Sequence, residues 1–168
     1  MYPVFWNMSF VGKHKYVVED MSMFEKLCEY LKCSTCTLLT LCISGNITIG
    51  DDDCSALAES LKINSTLREL KLCGNYISDE GVIVLAESLK VNETLLKLDI
   101  SHNEIGDAGV IALADSLKIN NTLHTLYVSS NNIGDVGCIA LADSLKINKT
   151  LLHLLISGNF IRDAGCIA

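Results

Sequence analysis

Residues 95–122, LLKLDISHNEIGDAGVIALADSLKINNT, recur in approximate form in the stretches on either side, each displaced by 28 residues. A fixed period of this length confines a chain to architectures in which each unit is one small module stacked on the next, because no such unit buries its apolar face alone. Leu95, Leu98, Ile100, Asn103 and Ile105 correspond to Leu67, Leu70, Leu72, Asn75 and Ile77 one copy earlier, and to Leu123, Leu126, Val128, Asn131 and Ile133 one copy later. An earlier copy, Leu38, Leu41, Ile43, Asn46 and Ile49, has one extra residue in its turn. Leu151, Leu154, Ile156, Asn159 and Ile161 open another.

The two halves of the unit have different periods. In the first, apolar residues alternate as they do along a strand with one buried face, and the Asn that follows is expected to point inward and bond the backbone of its turn. In the second, Val82, Leu85, Ala86 and Leu89, then Val110, Leu113, Ala114 and Leu117, fall at helical spacing. Asp79, Asp107, Asp135 and Asp163 stand where an N-cap is wanted, Lys90, Lys118 and Lys146 lie in the last turn, and Asn92, Asn120 and Asn148 are expected as left-handed residues after the helix.

The unit L-x-x-L-x-I-x-x-N-x-I followed by D-x-G-x-x-x-L-A-x-S-L-K resembles the ribonuclease-inhibitor-like subfamily of leucine-rich repeats, as found in ribonuclease inhibitors and in the C-terminal regions of NOD-like receptors. The resemblance covers residues 24–168. Unlike ribonuclease inhibitor, which is similar to an alternation of two unit types, this chain repeats one. The expected fold is α/β: a right-handed β-α superhelix of about five 28-residue repeats, with a parallel sheet on the concave face and helices on the convex face. Residues 1–20 match no repeat and are expected as a cap or a disordered segment, with Tyr2, Phe5, Trp6 and Phe10 available to cover the core. Residues 21–37 read as the helix of a partial first repeat, and residues 38–168 as the repeats proper, the last cut short before its helix is complete.

The formal charge of -7, with Arg68 and Arg162 the only arginines, gives no electrostatic footprint for nucleic acid or an anionic membrane, so neither is expected as a partner. Residues 1–12 are apolar, but too short to span a bilayer, and the first lysines follow them, the wrong order for a signal peptide. Of the eight cysteines, Cys54, Cys138 and Cys166 share the column of Val82 and Val110, Cys28 that of Ala58 and Ala86, and Cys33 that of Ile63 and Val91. They read as small apolar residues with reduced thiols in a cytoplasmic protein. Cys33 and Cys36 have zinc-ligand spacing, but a second pair is missing. Asp51, Asp52 and Asp53 could bind calcium loosely or begin a helix. No metal or cofactor is expected.

Function is expected on the strand face, between the leucines. The candidate ligand-binding residues are Glu69, Lys71, Lys97, Asp99, His102, Thr125, Tyr127 and His153; the central column Cys42, Lys71, Asp99, Tyr127, Leu155 differs in every copy while the framework hardly changes. Tyr127, large and stiff, is the natural anchor. The same charges could instead be cross-strand ion pairs worth about 0–1 kcal/mol each. His102 lies near Asp99 and Ser101, but neighbours at a strand end without a pocket do not make a triad, and no H-E-x-x-H, G-x-S-x-G or phosphate loop occurs. These features imply a non-catalytic protein-binding module, with a fragment of a NOD-like innate-immune receptor as the main reading. GTPase-activating or actin-regulatory repeat proteins and a non-functional truncated array are the alternatives. The apolar last strand is expected to self-associate through its uncapped edge.

Overall fold

The computed structural model describes residues 15–17, 24–43 and 49–166. Six short strands alternate with helices: β1 (Lys15–Val17), α1 (Phe24–Lys32), β2 (Thr40–Cys42), α2 (Asp51–Leu61), β3 (Glu69–Lys71), α3 (Asp79–Leu89), β4 (Lys97–Asp99), α4 (Asp107–Leu117), β5 (Thr125–Tyr127), α5 (Asp135–Ile147), β6 (His153–Leu155) and α6 (Asp163–Cys166). The strands form one parallel sheet in sequence order, and each helix packs on the next. β1 lies in the segment that matches no repeat and pairs with β2. The four N-terminal aromatics, and Ser44 to Thr48 with the extra turn residue, fall outside the described residues.

The periodic leucines do what their spacing predicts. Leu70, Leu98 and Leu126 are level across β3, β4 and β5 and are almost fully buried, sharing one continuous core with Leu85, Leu113 and Leu141 of the helices. Burying each such side chain contributes about 1.5–3 kcal/mol. Cys54 is part of this core, and its thiol is pushed up to about 12 by burial and then by Asp51 and Asp53, so it packs as a protonated apolar group.

Two ladders of buried asparagines hold the repeats in register. The Asn following β3, β4, β5 and β6 points inward as expected: Asn103 donates from Nδ2 to Leu72 O of the previous repeat and to its own Ile100 O, and accepts at Oδ1 from Ile77 N. The second ladder corrects an expectation. Asn92, Asn120 and Asn148 are not left-handed; among the described residues the only positive φ values outside glycine belong to His102 and Ser130. These asparagines are buried instead. Asn120 donates to Leu89 O at 2.8 Å and Asn92 O at 3.1 Å, and accepts from Thr122 N and Leu123 N. The helix of one repeat is therefore closed by a side chain of the next, which a reading within one unit could not find.

The aspartates need the same correction. The N-caps of α3, α4 and α5 are Ser78, Gly106 and Gly134, and the aspartate is the first residue inside each helix. Its carboxylate serves the following repeat: Asp51 accepts from Ser78 N and Gly81 N, Asp79 from Gly106 N and Gly109 N, Asp107 from Gly134 N and Gly137 N, Asp135 from Arg162 N and Gly165 N. The capping chemistry is the expected one, displaced by one repeat.

The apolar column of Ile63, Val91, Ile119 and Ile147, which Cys33 shares, is not core either. All four stand 55–64% exposed, because the chain turns the neighbouring asparagine inward and this side chain outward. Cys33 is likewise exposed while Cys36 is buried, its sulfur accepting from Thr66 Oγ1 and Asn64 Nδ2, so the two thiols do not converge.

Candidate functional site: the concave strand face

On every strand from β2 to β5 the central leucine is buried and its two neighbours are half-buried on the opposite face. The register aligns these neighbours in two rows across the sheet. One is Thr40, Glu69, Lys97, Thr125 and His153; the other is Cys42, Lys71, Asp99, Tyr127 and Leu155. Seven of the eight residues singled out above lie in these rows. At β6, His153 and Leu155 are more exposed than their counterparts.

The first row joins the second through charge. Glu69 Oε1 lies 3.1 Å from Lys71 Nζ on its own strand and 3.1 Å from Lys97 Nζ on the next, while Glu69 Oε2 is 3.5 Å from Thr40 Oγ1. Burial works against the Glu69 charge, but the two lysines outweigh it and hold its carboxyl below the ordinary value. The Lys71 ammonium is correspondingly raised by Glu69. Lys97 also sits over the Tyr127 ring, 4.9 Å from its centroid, within cation–π range. Thr40, Glu69, Lys71, Lys97 and Tyr127 thus form one connected surface over four strands, on which two ammoniums are matched by the carboxylates of Glu69 and Asp99. Asp99 accepts from Ser101 N at 3.1 Å, an interaction within its own turn.

His102 is placed differently. It follows β4 with φ +56°, in a column that continues as Gly74 at φ +69°, Ser130 at φ +53° and Gly158 at φ +72°. Repeats that put glycine there avoid the clash of a Cβ in the left-handed region; His102 and Ser130 accept it. His102 is exposed at the rim of the concave face, and its N–H donates to Ser129 O. The sequence held a signal for this column in the series CGN, SHN, SSN, SGN, where glycine holds the middle position in two of the four copies. The Lys97–Tyr127 stack had no such signal, since it depends on register.

A family model described as "Leucine Rich repeat" matches residues 64–86, 91–114 and 120–142. Among curated proteins, none matches by sequence. Among solved structures, the chain is similar to "Leiomodin-1 Actin-Binding Site 2", with a TM-score of 0.73 and 26% identity over 87% of this chain and 84% of that one. It is also similar in fold to a tropomodulin C-terminal domain from Caenorhabditis elegans, with a TM-score of 0.67 and 16% identity over 80% of this chain and 82% of that one. The chain is a leucine-rich-repeat solenoid. As in any such solenoid, its residues divide into a repeated frame that must be buried and a variable face that need not be. The shared Glu69 and the Lys97–Tyr127 stack belong to that face.

Proposed function

We propose that this leucine-rich-repeat solenoid is a non-catalytic protein-recognition module, working in the cytoplasm through its concave strand face, with actin as its partner. The observation that carries the reading is the likeness to the leiomodin-1 actin-binding site over most of both chains. The concave face supports it: Tyr127 supplies a rigid aromatic contact, and Glu69, Lys71, Lys97 and Asp99 supply charges of both signs for a complementary partner surface. Lys71, Asp99 and Tyr127 are the central contacts, with Glu69, Lys97, Thr125, His153 and His102 around them. A NOD-like-receptor tail is the second reading, supported by the 28-residue unit itself.

The test is binding to monomeric and filamentous actin, by native gel and co-sedimentation, for the intact chain and for a Lys71→Ala, Asp99→Ala, Tyr127→Ala variant of matching circular dichroism. Binding that the variant loses at least tenfold supports both the partner and the face. Binding equal in both chains removes the concave face, and no binding by the intact chain removes actin.

A further inference from the structure

We propose that a second copy of the chain docks on the face beyond β6, giving an isologous dimer in which the two sheets join antiparallel about Leu154. β6 is the last strand of the sheet. Toward β5, His153 N donates to His124 O and Leu155 O accepts from Val128 N. Successive residues of a strand alternate their backbone groups between its two edges, so Leu154 N, Leu154 O, Leu152 O and Ile156 N point the other way. One repeat earlier the equivalent edge is occupied: His124 O accepts from Leu152 N and His153 N, and Val128 N donates to Leu155 O. Among the described residues the four outer groups of β6 have no partner.

The side chains of this end are those of the core, left half open. Leu145, Leu151, Leu154 and Ile156 are half-buried, whereas the same columns one repeat earlier, Leu117, Leu123, Leu126 and Val128, are at most 1% exposed. α6 spans only Asp163–Cys166 and is held to the start of α5, since Asp135 accepts from Arg162 N and Gly165 N. The second half of α5 therefore has no helix beside it among the described residues, and Ala142 there is half-buried where Ala114 is 1% exposed. Leu152 and Leu155, 67% and 50% exposed, extend the apolar surface along the strand.

The symmetry of the edge selects the occupant. Its outer groups read acceptor at Leu152, donor and acceptor at Leu154, donor at Ile156. A second copy turned about a two-fold axis at Leu154 sets Ile156 N against Leu152 O and Leu154 N against Leu154 O, in both directions, so every outer group of the strand is matched. The axis is perpendicular to the sheet, so both helix layers stay on one side and α5 runs antiparallel to its counterpart. The short α6 of each copy then comes against the second half of α5 in the other, where Ala142 and Leu145 are open. Head-to-tail stacking gains less. At the opposite end Phe24, Leu27, Cys28 and Leu31 of α1 are at most 3% exposed, so its apolar side is already covered.

The experiment is sedimentation equilibrium of the full chain under reducing conditions over a concentration series, together with amide hydrogen exchange. The mass is expected to rise from monomer to dimer and stop there, with the Leu154 and Ile156 amides exchanging about tenfold or more slowly in the dimer than in the monomer. A Leu152→Lys, Leu155→Lys variant, changed at side chains already at least half exposed, sets like charges along the joint and is expected to raise the dimer dissociation constant about tenfold or more. The Lys71→Ala, Asp99→Ala, Tyr127→Ala variant is expected to dimerise like the parent, which separates this proposal from the actin reading. A monomeric mass throughout overturns it, as does a mass that climbs past the dimer, the mark of open-ended stacking. A dimer whose Leu154 and Ile156 amides exchange as fast as in the monomer, or that the lysine variant forms undiminished, is joined elsewhere and overturns it equally. If the lysine variant does not fold, amide protection in the parent decides.

Discussion

Asp79 Oδ1 lies 2.8 Å from the backbone nitrogens of both Gly106 and Gly109, so the first residue of α3 caps α4. The interaction therefore couples repeats. Asp79→Ala should destabilise the chain by about 1–2 kcal/mol, the range for loss of an N-cap. Asp79→Asn, which keeps an acceptor, should recover most of it. Urea unfolding of the two variants checks this, and equal losses in both would show that charge, not the hydrogen bonds, carries the effect.

Gly109 is the other half of that contact. A Cβ there would sit 2.8 Å from Asp79 Oδ1, 3.1 Å from Ile105 Cγ2 and 3.2 Å from Asp79 Cα. In an open helix Gly→Ala gains about 1 kcal/mol. Here the backbone of the neighbouring repeat stands in the way, so Gly109→Ala should lower the urea midpoint. A raised midpoint would mean that the two helices separate easily.

His102→Gly should raise stability, by up to about 1 kcal/mol, because relief of the left-handed strain exceeds the greater unfolded-state freedom of glycine. If His102 also touches the partner, the same change should weaken binding while the melting temperature rises. Opposite movement of the two readouts would mark a residue kept for its surface.

Glu69 makes a pH prediction. Its folded carboxyl titrates below the ordinary 4.5, so its contribution is fully present above that value and is lost as pH falls through the folded one. Stability measured against pH should fall less steeply below about pH 4.5 in Glu69→Gln than in the parent. Superimposable slopes would show that Lys71 and Lys97 do not favour its ionised form.

The buried asparagine ladder offers a further test. Asn120→Ala would leave Leu89 O, Thr122 N and Leu123 N without the partners Asn120 supplies and should cost about 1–3 kcal/mol. Asn121, exposed beside it, should tolerate the same change within about 0.5 kcal/mol by thermal melting.

The period of 28, the strand and helix halves of the unit and the inward Asn103 column were legible in the residues themselves, because alternation and helical spacing state which side chains must be buried. The one-dimensional pattern also placed Glu69, Lys71, Lys97, Asp99 and Tyr127 on a common face. It could not say which neighbour each polar group serves. Asp79 and Asn120 look like caps of their own helix in sequence, yet they bond the repeat after or before, since stacked modules bring residues 27 to 31 apart closer than their own helix ends. Nor could it show that Val91 and Ile119 face outward, or that Lys97 lies on Tyr127. Those facts depend on how one repeat is set against the next, and only the tertiary structure decided them.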